Sequence, residues 1–93
     1  MSMSEVFALQ QAIDAIDDQL IQLLKQRFDH SRRIGVIKKR EAQPPVDPTR
    51  VQSQRDRFLR QCVESGLDPE MSNRLLLVIT NQVIAERLAA AAE

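Results

Sequence analysis

Between Glu5 and Glu41 the chain contains no proline and a single glycine, Gly35, so nothing obliges a helix to stop. Apolar residues run along it at Leu9, Ile13, Ile16, Leu20, Leu23 and then Ile34, spaced as one face of a helix. This predicts a helix over 5–41, about 55 Å long at ~1.5 Å per residue. A compact chain of 93 residues has a radius of gyration of only ~12 Å, hence a diameter near ~30 Å. The helix is too long for its own domain. Two arrangements resolve the conflict: an intertwined homodimer in which long helices cover each other, or a break near Gly35 that yields a four-helix monomer.

The remaining boundaries are marked by turn chemistry. Ala42-Gln43-Pro44-Pro45-Val46 cannot sit inside a helix. Asp47-Pro48 reads as an N-cap followed by a first-turn proline, and Asp68-Pro69 repeats the signal. Ser65-Gly66 closes the segment between them. Helices are therefore expected over 48–65 and 69–90, giving one all-α domain across 1–93.

Composition agrees with this and narrows the function. Lys plus Arg and Asp plus Glu are both 13, and this zero balance argues against a nucleic-acid or anionic-membrane binder. One Cys excludes an internal disulfide, and one Cys with one His excludes a conventional zinc cluster. No stretch approaches the ~18 apolar residues of a membrane span, and the start Met1-Ser-Met-Ser lacks the features of a signal peptide. A cytoplasmic, soluble, all-helical protein is the expectation. Neither a Ser-His-Asp nor a Cys-His arrangement can be assembled, and no Gly-rich phosphate loop exists. Cys62 reads as core, and His30 as a core or boundary residue.

The neutral total hides polarity. Lys25, Arg27, Arg32, Arg33, Lys38, Lys39 and Arg40 face a single acid, Asp29, in the same stretch, whereas Glu5, Asp14, Asp17 and Asp18 precede it. Sevenfold steps from Ile13 and Leu20 arrive at Arg27, and three turns later Lys38 returns to nearly the same line, with Ser31 between. A buried arginine is unfavourable unless paired. Arg50 falls in the first turn of the second helix, where a cation opposes the dipole. Helix three shows Met71, Leu75, Val78, Ile79 and Val83 on its apolar side, interrupted or flanked by Asn81, Gln82, Glu86 and Arg87. Inward cations from several helices suit a small polyanion held away from water. The plainer alternative pairs Arg27 with Asp29 or Glu86 and leaves Lys38, Lys39 and Arg40 as a solvated helix end.

These residues and spacings resemble the all-helical class of chorismate mutases. The resemblance covers ALQQAIDAIDDQLIQLLKQRF at 8–28, IGVIKKREAQPPVDPTRVQSQ at 34–54 and SGLDPEMSNRLLLVITNQVIAERL at 65–88, in order. It implies an intertwined dimer of three-helix chains that rearranges chorismate to prephenate without metal or organic cofactor. Relatives of the same fold cleave isochorismate or rearrange 4-amino-4-deoxychorismate. Carried over, the resemblance makes Arg27 and Lys38 the cations that grip the substrate's side-chain carboxylate, with Lys38 also at the ether oxygen. It places Asp47 and Arg50 around the ring end.

Three positions depart from the family. Gln10 stands where many members have an arginine that enters the partner's pocket. It lies ~25 Å along the helix from Arg27, so only a second chain could bring it there. Val51 replaces a glutamate that binds the ring hydroxyl, a loss that a substrate without this hydroxyl would permit. Arg87 aligns with a Gln or Glu usually poised at the ether oxygen, and could replace the guanidinium missing at position 10. The expected catalytic residues are thus Arg27, Lys38 and Arg87, and the expected substrate contacts Gln10, Asp47, Arg50, Val51 and Val83. Chorismate mutase is the leading reading. The alternatives are the same fold acting on isochorismate or 4-amino-4-deoxychorismate, or a catalytically weak binding or regulatory dimer.

Overall fold

The computed structural model describes residues 2–93, in three helices: α1 (Met3–Arg40), α2 (Pro48–Glu64) and α3 (Pro69–Ala92). α1 starts earlier than expected because Ser2 caps it. The Ser2 hydroxyl accepts from Glu5 N at 3.2 Å, and the Ser2 carbonyl accepts from Val6 N at 3.0 Å. The helix continues through Gly35, which excludes the four-helix alternative. It ends where Gln43 N bonds back to Lys38 O at 2.8 Å and Ala42 takes φ 55°, a left-handed turn ahead of the two prolines.

Asp47 closes the next start as expected: its Oδ1 accepts from Thr49 N at 3.0 Å and Arg50 N at 3.3 Å, with Pro48 at the first helical position. Gly66, at φ 82°, lets the chain turn back so that Leu67 N reaches Cys62 O at 3.0 Å. Asp68 Oδ2 then accepts from Met71 N at 2.8 Å to cap α3.

The backbone divides into two compact units, the residues through His30 and Ser31–Glu93. The first is the N-terminal part of α1, a lone helix whose apolar stripe is open. Leu9, Ile13, Ile16, Leu20 and Leu23 are each more than half exposed. His30, expected as a core or boundary residue, is exposed as well.

In the second unit α2 packs along α3, and α1 reaches α3 through side chains. Cys62, Leu76 and Ile79 form the buried apolar core. Ser72 is fully enclosed, its hydroxyl donating to Asp68 O at 2.8 Å, so no polar atom is stranded there. The face of α3 that is buried is therefore Ser72, Leu76 and Ile79, while Leu75 and Val78 of the expected stripe point outward, Val78 at 70% exposure. The discrepancy has a simple cause: α3 is apolar nearly all round, so periodicity does not single out one face. By length and composition alone α3 could also cross a membrane, contrary to the sequence expectation. In the second unit it carries Glu86 and Arg87 into polar contacts with α1.

Candidate active site

Three positions on α1 define the floor of the site. Ser31, Gly35 and Lys38 succeed one another at intervals of four and three, so they share one helix face. Ser31 and Gly35 are buried, and Lys38 is half-buried. Arg87 of α3 lies across the first two. Its Nε donates to Ser31 O at 3.2 Å, and one terminal nitrogen donates to Ser31 Oγ at 3.1 Å. The other terminal nitrogen donates to Pro45 O at 3.3 Å, in the loop between α1 and α2. Of five guanidinium N–H groups, three are thus engaged by the protein and two remain. Partial burial lowers the Arg87 pKa from its ordinary value by desolvation, though a guanidinium keeps its charge.

The bond to Pro45 ties that site to the start of α2. Asp47 follows two residues later, and its capping bond sets the first turn that carries Arg50 and Val51. Arg50 is exposed and Val51 half-buried. Neither Lys38 nor Arg50 has a side-chain hydrogen-bond or ion-pair partner among the described residues. The second unit thus carries the cations Lys38, Arg50 and Arg87, with a half-buried Val83 one turn before Arg87. Gln10 and Arg27 belong to the first unit, Gln10 exposed and Arg27 half-buried.

Lys25 pairs with Asp29 across one turn at 2.7 Å, and Arg32 donates twice to Glu86 Oε1, at 3.0 and 2.8 Å. Glu86 Oε2 is buried without a hydrogen-bond partner, beside a cavity of about 120 Å³ bounded by Gly35, Glu86 and Arg87 among others. Among the described residues no group of three or more His, Cys, Asp or Glu side chains could hold a metal ion.

Sequence reasoning noticed Arg87 and Ser31 separately but not their bond, nor the part played by Pro45 O. One signal was present. A lone glycine inside a helix costs about 1 kcal/mol relative to alanine, which points to a close approach by another segment. A β-carbon at Gly35 would come within 3.3 Å of Arg87 Cδ.

The fold is that of an all-helical protein whose second unit carries Lys38, Arg50 and Arg87. The chain belongs to the chorismate mutase type II family, whose pattern it matches over residues 9–92. It is similar to the 4-amino-4-deoxychorismate mutase of Streptomyces venezuelae, with 31% identity over 80 residues, covering 86% of this chain and 78% of that protein. These matches support isomerase activity in general.

Proposed function

We propose that this protein is a dimeric mutase that rearranges chorismate to prephenate, with no cofactor, in the cytoplasm. The observation that carries the reading is Lys38: a half-buried ammonium without a protein counter-ion, on the α1 face that also seats Arg87. Arg27 falls eleven residues earlier in the sequence, and the family resemblance assigns both cations to one dicarboxylate.

The chemistry asks for little else. The enolpyruvyl arm must fold over the ring before a concerted shift in which a C–O bond breaks as a C–C bond forms. Holding both carboxylates, with Arg27 on the arm and Arg50 toward the ring, selects the folded conformer, a gain from orientation. Negative charge grows on the ether oxygen as its bond to the ring breaks. A fixed ammonium at Lys38 stabilises that state more than the ground state. No nucleophile and no proton shuttle take part. Arg87 adds positive potential, while Asp47, Val51 and Val83 border the ring.

A second chain completes the pocket. The open stripe from Leu9 to Leu23 and the exposed Leu75 and Val78 are apolar surface that a partner would cover. Cys62, Leu76 and Ile79 alone are too small a core to offset the conformational entropy of the chain. A partner's α1 would also deliver Gln10.

A second substrate, 4-amino-4-deoxychorismate, is favoured by a specific observation. Val51 in the first turn of α2 offers no hydrogen bond to a ring hydroxyl, and the Streptomyces venezuelae relative is a mutase for the amino compound. Separate incubations with chorismate, isochorismate and 4-amino-4-deoxychorismate test both. Prephenate formation supports the first reading and the amino-substituted product the second. Pyruvate release from isochorismate alone, or no turnover of any of the three, overturns both.

A further inference from the structure

Arg87 is bound to two segments that do not otherwise meet through side-chain bonds among the described residues. Its Nε and one terminal nitrogen hold Ser31 of α1, and its remaining nitrogen holds the Pro45 carbonyl. Proline has no N–H, so its carbonyl is the only backbone polar group by which Pro45 can be anchored. The loop around it is fixed to α1 at Ala42 and Gln43 and to α2 at the Asp47 cap, with Arg87 as the support between. The path is clear because Gly35 has no β-carbon to meet the Arg87 stem, 3.3 Å away.

We infer that Arg87 is a positioning residue: it straps the 43–47 loop to α1 and thereby sets where Asp47 and Arg50 stand relative to Lys38. This rests on the mutase reading for its functional consequence but not for its structural one. A fork is needed because the acceptors belong to different segments and lie in different directions, which the planar guanidinium spans and an ammonium does not. Lysine keeps the charge and loses the strap, so Arg87→Lys separates the two roles. Ser31→Ala weakens the strap by one acceptor and leaves Arg87 in place.

The test is hydrogen exchange on the full-length chain, read at the Ala42, Gln43, Thr49 and Arg50 amides, together with steady-state kinetics on whichever chorismate-type substrate is turned over. In Arg87→Lys these amides should exchange about tenfold faster, as expected for loss of a charged hydrogen bond, while the interior of α3 around Leu76 and Ile79 is unchanged. KM should rise several-fold with kcat nearly retained, because a displaced Arg50 weakens binding of substrate and transition state alike. Ser31→Ala should show the same pattern at smaller amplitude, and serves if Arg87→Lys does not fold. Unaltered loop exchange in both variants overturns the proposal, as does an equal rise at every amide. So does a fall in kcat at constant KM, which would mark Arg87 as a contact to the reacting atoms. Exchange decides the strap even if no substrate is turned over, so failure of the mutase reading is told apart from failure of this one.

Discussion

Gly35 lies against the stem of Arg87: a β-carbon there would be 3.3 Å from Arg87 Cδ and 3.8 Å from its Nε, so the stem would have to give way slightly. Alanine at that position would raise helix propensity by about 1 kcal/mol. The stem cannot yield freely, since three hydrogen bonds fix the guanidinium. Gly35→Ala should therefore lower the melting temperature of the otherwise unaltered protein. In an Arg87→Ala background the same change should be stabilising by about 1 kcal/mol, because only the propensity remains. A double-mutant cycle by chemical denaturation checks this. Additive effects would mean that the two residues do not sense each other.

Lys38→Ala should leave helix content and assembly intact and reduce kcat by at least ~10², the range for removing one fixed electrostatic partner of a transition state. Lys38→Gln, which keeps a hydrogen-bond donor but no charge, should recover only part of the loss. Circular dichroism beside a turnover assay separates this from unfolding. A mutant with the parent's rate would remove the ammonium from the mechanism.

Asp47 has a structural task that can be measured on its own. Its carboxylate caps both Thr49 N and Arg50 N, so Asp47→Ala should lower stability by about 1 kcal/mol. Asp47→Ser or Asp47→Asn should restore most of it, as good N-caps do. Urea denaturation reads the difference. Equal midpoints for all of these proteins would show that the cap contributes nothing.

Helix termini were legible in the amino-acid order because their chemistry is local: Asp47-Pro48, Asp68-Pro69 and Gly66 each act within a few residues. The candidate cation Arg50 was legible because a charge in a first turn opposes the helix dipole, and Lys38 because it returns to the line of Arg27 and Ser31 along α1. What could not be read was anything decided by contacts between segments. Gly35 alone fits either a break or a close crossing, and only the placement of Arg87 distinguishes them. The buried face of α3 was likewise hidden, since Leu75, Leu76, Val78 and Ile79 are equally apolar and α2 selects among them.

Val51 offers a test of specificity. Val51→Glu would place a hydrogen-bonding carboxylate in the first turn of α2, near the ring end of the proposed substrate. It should raise kcat/KM for chorismate by about tenfold for one charged hydrogen bond to the ring hydroxyl, and by more for 4-amino-4-deoxychorismate, whose ammonium pairs with a carboxylate more strongly, so the ratio moves toward the amino substrate. Competition between the two substrates in one vessel gives the ratio directly. A ratio unchanged from that of the parent would place Val51 away from the ring.

The open stripe of the first unit makes the last prediction. Ile13, Ile16 and Leu20 are each more than half exposed, and a second copy of α1 is the proposed cover. Ile16→Asp would put a carboxylate in that seam, where burying an unpaired charge is strongly unfavourable. It should shift the protein from dimer to monomer at micromolar concentration, with loss of turnover, since Gln10 of one chain no longer reaches the other. Replacing the exposed Gln52 of α2 by Asp adds the same charge away from the seam and should leave both properties intact. Sedimentation velocity decides between them. A parent protein that already sediments as a monomer, yet turns over substrate, would show that one chain suffices and that the stripe has another use.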